Sequence, residues 1–202
     1  MIHIIDYGMG NFGSIGNMLK YIGCKSEVTS DIEKIGSAKK LILPGVGAFD
    51  NGMTKIRELR LKSILDKMAL EEKIPILGIC LGMQLMTGKS EEGSSRGLGW
   101  FDAETIKFDF GRRRIKIPHM GWNNVSVRNS NPLFKNMSTE PRFYFVHSYY
   151  VKCNKSENVI GETEYGRKFA SIICKKNIFG CQFHPEKSHK FGMHLLRNFA
   201  EL

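Results

Sequence analysis

The sequence predicts an α/β protein, with an open, largely parallel central sheet flanked by helices and carrying an antiparallel, β-rich extension. Three observations predict it. In the first half, apolar runs too short for buried helices alternate with amphipathic helical stretches, the pattern of a parallel sheet covered on both faces. After Ser90-Glu91-Glu92-Gly93 the texture changes to short β-rich segments broken by turns. The chain has 202 residues, ordinary composition (42% hydrophobic, 25% charged) and no repeat or linker-like stretch, which suits a single domain over residues 1–202.

In chain order, residues 2–6 read as the first strand, with no basic leader before them. Residues 11–22 read as a helix with Ile15, Met18, Leu19 and Ile22 on one face. Between them, Gly8-Met9-Gly10-Asn11-Phe12-Gly13 is a literal G-x-G-x-x-G. A dinucleotide site would seat a pyrophosphate there, with Glu27 or Asp31 as the acidic partner; the plainer alternative is a tight glycine turn at a strand-to-helix corner. Leu41-Ile42-Leu43 reads as a buried strand ending in the loop Pro44-Gly45-Val46-Gly47-Ala48-Phe49, whose backbone can approach a ligand closely. Residues 53–72 carry helical periodicity through Met53, Ile56, Leu59, Leu61, Ile64, Leu65 and Met68.

The next strand, from Ile74, runs into Gly78-Ile79-Cys80-Leu81-Gly82 and a short helix. This is the spacing of a nucleophile elbow, in which flanking glycines allow the sharp turn that lifts the central side chain clear of the sheet. A helix start would also favour the thiolate; the bland alternative is a small buried cysteine between two glycines. From about residue 98 to 173 the segments read as an antiparallel extension, with a turn at Arg128-Asn129-Ser130-Asn131-Pro132 and one aromatic-faced strand over 143–150. A strand over 178–183 leads into His184-Pro185-Glu186, and a helix over about 188–202 closes the chain. Were 184–186 extended, Glu186 would lie on the same side as His184 and fix its tautomer, leaving the other ring nitrogen to take the Cys80 proton.

Five cysteines, an odd number without a C-x-x-C pair, point to free thiols in a reducing compartment and to no zinc site, so a cytoplasmic location is expected. The longest apolar run is broken by Pro75, Gly78, Gly82 and Gln84, and no membrane span is expected. The net charge of +10 raises nucleic acid as a partner. Its lysines and arginines are scattered, only Arg112-Arg113-Arg114 forms a run, and no nucleic-acid-binding signature accompanies it. A solvated basic surface, suited to docking an acidic partner, is the expectation.

Two segments, Gly78-Ile79-Cys80-Leu81-Gly82-Met83-Gln84 and Gln182-Phe183-His184-Pro185-Glu186-Lys187-Ser188, resemble the two signatures of class I (triad) glutamine amidotransferases. Asp6-Tyr7-Gly8-Met9-Gly10-Asn11, the 44–49 loop and Pro118-His119-Met120-Gly121-Trp122-Asn123 make the chain similar, within that family, to glutaminase subunits of imidazole glycerol phosphate synthase. The resemblance implies that Cys80 attacks the glutamine side-chain amide, with His184 as base then acid and Glu186 as its orienter. It implies an oxyanion hole from Leu81 and from Val46 and Gly47, whose loop needs a peptide flip to become active. It places glutamine against Gly47, Gln84, Glu92 and the backbone of His147, Ser148 and Tyr149. Ammonia would pass to a (β/α)₈-barrel cyclase subunit docked on Asn11, Met120, Trp122, Asn123, Tyr144 and Lys187, with no metal, organic cofactor or bound dinucleotide.

Two stretches depart from the histidine-pathway pattern: Gly97-Leu98-Gly99-Trp100-Phe101-Asp102 and the Arg112–Arg114 run. They keep open a paralogous glutaminase subunit feeding a different synthase, in surface-polysaccharide or flagellar sugar amidation. Two further alternatives are a cysteine hydrolase on the same architecture and a non-catalytic subunit that keeps the fold. Gln84 and the 44–49 loop favour glutamine over the first, and the intact Cys80, His184 and Glu186 argue against the second.

Overall fold

In the computed structural model of the chain the described residues are 1–128, 130–137 and 140–202; Asn129, in the turn expected at 128–132, lies outside them. The first half alternates as the sequence predicts: β1 (Ile2–Ile5), α1 (Phe12–Tyr21), β2 (Ser26–Thr29), α2 (Ile32–Gly36), β3 (Leu41–Leu43), α3 (Phe49–Glu58), α4 (Leu61–Asp66), β4 (Ile76–Ile79), α5 (Leu81–Leu85). The second half holds β5 (Lys89–Ser90), β6 (Ala103–Lys107), β7 (His119–Asn124), β8 (Ser126–Val127), β9 (Arg142–His147), β10 (Tyr149–Cys153), β11 (Val159–Glu164), β12 (Lys168–Lys175), β13 (Ile178–Cys181) and α6 (His189–Glu201).

The main sheet runs β2-β1-β3-β4-β13-β12-β10-β6-β5, with β11 and β8 branching from β12. From β2 through β13 neighbouring strands are parallel; β13, β12, β10 and β6 then pair antiparallel. The central parallel strands β1, β3, β4 and β13 are buried at every residue, and their period-two alternation divides the core in two. Ile4, Ile42 and Leu77 face α1 and α6 through Ile15, Leu19, Leu195 and Phe199. Ile5, Leu41, Leu43 and Ile76 face α3, α4 and α5 through Met53, Ile56, Leu61, Leu65 and Leu85. Full burial of each such side chain is worth about 1.5–3 kcal/mol, so the sheet is held from both sides.

Four expectations need correction. The helix expected over 53–72 begins earlier, at Phe49, and breaks after Glu58, where Arg60 takes a left-handed conformation (φ 55°). The two-residue step from Leu59 to Leu61 fits no single helical stripe; the break rephases it, leaving Leu59 exposed and Leu61 fully buried. A π-helical turn, Lys67–Glu71, then ends the segment. The strand expected over 143–150 is two strands in different sheets: β9 pairs with β7, apart from a single bridge from Tyr144 to His184, and the chain crosses at Ser148 into β10 of the main sheet. The β7–β9 ribbon therefore stands apart from the antiparallel extension, in which β5 pairs parallel to β6. Finally, residues 185–187 form a 3₁₀ turn and are not extended.

The G-x-G-x-x-G stretch is a strand-to-helix turn, with Gly8 at φ 82° and its N–H on the Asp6 carboxylate. Glu27 pairs with Lys34, and Asp31 caps α2 through the N–H groups of Glu33 and Lys34. No helix among the described residues is long and apolar enough to cross a membrane.

Candidate active site

The carboxyl ends of β3, β4 and β13 adjoin, the position where open α/β sheets bind ligands. They deliver the 44–49 loop, Cys80 and the 184–186 turn to one place. Cys80 ends β4 at φ 53° and ψ −108°, a conformation L-residues rarely adopt, anchored by its N–H on the Cys181 carbonyl at 2.8 Å. The turn demands glycine at 82: a Cβ there would lie 1.8 Å from the Leu43 carbonyl oxygen. The backbone of α5 thus presses against the end of β3, and the strained elbow is fixed by its neighbours.

His184 and Glu186 meet as the sequence predicts, by a different route. The 3₁₀ turn curls the Glu186 carboxylate back to His184, with Oε1 2.8 Å from Nδ1. Both side chains are about 98–99% buried. The His184 N–H donates to the Tyr144 carbonyl at 2.9 Å, and its own carbonyl accepts from the Ser188 hydroxyl at 2.6 Å, which locks the turn against β9. Burial disfavours the imidazolium, but the interactions with Cys80 and Glu186 outweigh it and push His184 up to about 10. Among the described residues His184 Nε2 has no hydrogen-bond partner.

A cavity of about 410 Å³ opens here. Val46, Gly47, Cys80, Leu81, Gln84, Glu92, His147, Ser148, Tyr149, His184 and Lys187 line it, together with Pro118 and Val146, which the sequence did not single out. Glu186 sits behind His184, away from the wall. Glu92 accepts from the Phe49 N–H at the head of α3 (2.8 Å). Its loop is pinned by Asp50, whose carboxyl is held below its ordinary value by the Ser94 and Ser95 N–H groups. Gln84 spends its side-chain NH₂ on the Tyr149 carbonyl and on Gln182 Oε1, both at 3.1 Å, so only its oxygen remains for a ligand.

The Leu81 N–H, one of the expected oxyanion donors, points at the Gly45 carbonyl, 3.4 Å away. Because C=O and N–H of one trans peptide point opposite ways, the Val46 N–H faces away from it. Gly47 follows at φ 112°, open to glycine and costly for other residues.

Two residues emerge that sequence reasoning passed over. The Tyr7 hydroxyl donates to the Pro44 carbonyl at 2.6 Å and tethers the 44–49 loop; burial, and then the Cys80 charge, raise its pKa. Gln182, fully buried, points its amide nitrogen at Cys80 Sγ, 3.6 Å away. Both lie in quoted motifs, but nothing local marks their partners. In the stretch 97–102, Leu98, Trp100 and Phe101 are buried while Gly99 and Asp102 are exposed, and Trp100 donates to Asp66 at 2.8 Å. The Arg112–Arg114 run is exposed, with Arg113 on the Gly166 carbonyl, in the loop leading to Pro118.

Of the residues expected at a partner face, Met120 and Trp122 are exposed on the outer side of β7. Trp122 packs edge-on to Tyr144 and stacks on His189, and the Lys187 ammonium lies over the Tyr144 ring. Asn11 heads α1, which packs against the 185–187 turn. Asn123 is on the opposite side of β7 from Trp122, bonding inward to the Glu164 carbonyl and toward His119. No group of three or more metal-ligating side chains occurs among the described residues.

Comparison with known proteins identifies a family. The family model "Glutamine amidotransferase class-I" matches residues 3–202. The chain is 56% identical over 201 residues to the "Imidazole glycerol phosphate synthase subunit HisH 2" of Methanococcus maripaludis, covering 100% of this chain and 99% of that protein. It is 46% identical over 202 residues to the subunit of the same name in Pseudomonas aeruginosa, covering all of both. Among solved structures, one described as a glutamine amidotransferase and the Thermotoga maritima PurLQS structure share its fold. Each has a TM-score of 0.77 and 18% identity, over 99% of this chain and 97% of theirs. The match over nearly the whole length, joined to a cysteine elbow facing a histidine–glutamate pair, leads to one conclusion: the chain belongs to the class-I glutamine amidotransferase family.

Proposed function

We propose that this chain is the glutaminase subunit of imidazole glycerol phosphate synthase, hydrolysing glutamine to glutamate and ammonia in the cytoplasm. One observation carries the reading: the strained Cys80 elbow shares a cavity with His184, whose far nitrogen is held by the buried Glu186 carboxylate at 2.8 Å. In this reading the Cys80 thiolate attacks the glutamine side-chain carbonyl carbon. The unpartnered His184 Nε2–H gives its proton to the departing nitrogen, and ammonia leaves a γ-glutamyl thioester. His184, now neutral, takes a proton from water as it attacks the thioester, releasing glutamate and restoring the thiolate. Glu186 holds the ring and stabilises its charged form. Gln84 Oε1 and the free oxygen of Glu92 are acceptors for the glutamine amino group, and the backbone of His147, Ser148 and Tyr149 seats the rest.

The 45–46 peptide supplies a control point. Turning it over would remove the Gly45 carbonyl from Leu81 and aim the Val46 N–H at the developing oxyanion, beside Leu81 and Gly47. Loss of such a donor typically costs about 2.7–4 kcal/mol of barrier, so the resting chain should turn over glutamine slowly. A (β/α)₈-barrel cyclase docking on Met120, Trp122, Tyr144 and Lys187, with Asn11 alongside, would then favour the flipped loop and receive the ammonia. Exposed aromatics of this kind are good interface anchors. Identities of 46–56% over full length to relatives named as this subunit support the pathway.

A second reading, a subunit serving sugar amidation by another synthase, is favoured by the exposed Arg112–Arg114 run near Pro118 on the cavity wall. The 97–102 departure does not favour it, since its large side chains, Leu98, Trp100 and Phe101, pack in the core. Ammonia release is the test, measured for the chain alone and with the same organism's histidine-pathway cyclase and its nucleotide ligand. Slow release alone and a large rise with that partner support the first reading. Release that ignores the cyclase supports the second, and no rise with the cyclase refutes the first.

A further inference from the structure

The ribbon hides a pair of imidazoles that the mechanism does not use. In the β7–β9 register His119 lies opposite His147, and both are buried. His119 is stacked between Phe145 and Tyr165, and His147 packs against Phe108 and Phe169. Their ring nitrogens are 3.0 Å apart, Nδ1 of His119 to Nε2 of His147. His147 Nδ1 is 2.7 Å from the Tyr149 carbonyl, and His119 Nε2 is 3.3 Å from the Asn123 amide nitrogen.

The polarity of this chain of bonds is fixed at both ends. The Tyr149 carbonyl can only accept, so His147 carries its proton on Nδ1 and accepts at Nε2. His119 must then donate from Nδ1 and accept at Nε2. Asn123 can supply that donor, because its nitrogen also donates to the Glu164 carbonyl and its oxygen accepts from the Asn124 N–H. From Tyr149 the path continues inward. The same carbonyl accepts from Gln84, Gln84 donates to Gln182 Oε1, and the remaining Gln182 hydrogens face Cys80 Sγ.

We propose that His119 and His147 are positioning residues for Cys80: as neutral Nδ1–H tautomers they hold the Tyr149 carbonyl, which sets Gln84 and Gln182 so that an amide N–H faces the sulfur. A donor aimed at Sγ favours the thiolate over the thiol, because a hydrogen bond to the charged form stabilises it. The inference deepens the glutaminase reading and rests on it only for the use made of the thiolate.

The test reads the thiol itself, with iodoacetamide as the probe and peptide mass spectrometry to count alkylation at Cys80 across pH. His147→Phe keeps an aromatic ring in the box and removes both hydrogen bonds; Gln182→Leu removes the final donor. Each should slow Cys80 alkylation at pH 7 about three- to tenfold, the factor expected for one ordinary hydrogen bond, and move the midpoint of the pH profile upward. The double variant should be no slower than Gln182→Leu alone, since both act through one path. Wild-type profiles in both single variants, or fully additive losses in the double, would overturn the proposal. Should His147→Phe not fold, His119→Phe takes its place, and nitrogen-15 NMR of labelled histidine in the unmodified protein tests the polarity directly. Both rings should be neutral with the proton on Nδ1; an Nε2–H form of either overturns the proposal. The expected alkylation pattern from a protein that releases no ammonia with its cyclase would refute the glutaminase reading and leave the positioning role standing.

Discussion

Acid should destabilise this fold through the imidazole pair, and the size of the effect follows from the burial of His147. Its pKa falls to about 3, first because burial disfavours the charged ring, against which the Tyr149 carbonyl works; the charges of His119 and His184 add to the fall. His119 falls to about 4 by burial. A histidine whose folded pKa is depressed is protonated in the unfolded chain first. Between the ordinary value of about 6.5 and the folded value, the unfolded state binds the extra proton, so stability is full above pH 6.5 and falls with pH below it. Each unit is worth about 1.36 kcal/mol, so His147 alone should remove about 2 kcal/mol between pH 6.5 and 5.0. That is a large share of the roughly 5–15 kcal/mol of a typical domain. Other groups titrate in the same window, and the comparison of wild type with His147→Phe cancels most of them. Urea unfolding of both proteins at pH 7.5, 6.0 and 5.0 should show the gap closing or reversing by about 2 kcal/mol in favour of the variant as pH falls. A gap constant with pH would mean that His147 titrates alike in the folded and the unfolded chain, and a gap widening in favour of wild type that it is charged in the fold; either would refute the argument.

Cys80→Ala should abolish ammonia release from glutamine while leaving the circular dichroism spectrum and thermal unfolding intact; measurable turnover would refute the thiol mechanism. Glu186→Gln should lower kcat on the order of 10²-fold with little change in KM, since it removes the group that orients and charges His184; a change confined to KM would speak against that role. Gly82→Ala should cost several kcal/mol or displace the elbow, because its Cβ would meet the Leu43 carbonyl oxygen at 1.8 Å. Chemical denaturation measures the first and alkylation of Cys80 the second, and wild-type values in both would show that the elbow tolerates a side chain.

What the sequence discloses and what it hides divide along a physical line. Cys80 and its two glycines are legible because an elbow is a local demand: the same few residues make the strand, the turn and the start of the helix. His184 and Glu186 are legible for the same reason. Their contact survives even though the backbone between them is a 3₁₀ turn and not the expected extended segment, since two residues of separation keep the side chains close either way. The break at Arg60 was half legible, in the two-residue step between Leu59 and Leu61. By contrast, His119 and His147 stand 28 positions apart. Each alone reads as a lone histidine in an aromatic strand. Only the β7–β9 register, Trp122 opposite Tyr144 and so His119 opposite His147, makes them a pair. The crossing at Ser148 hides it further, because a single strand over 143–150 would set His147 and Tyr149 on one face of one sheet. In the fold that crossing lets the His147 ring reach back to the Tyr149 carbonyl. The orientation of the 45–46 peptide is invisible for a different reason. In the proposed mechanism the same residues must suit two arrangements of the loop, and a docked partner would decide which one prevails. The chemistry proposed for this chain is thus written locally in its motifs, while its readiness to act would depend on register and on the turning of one peptide, which the motifs do not spell out.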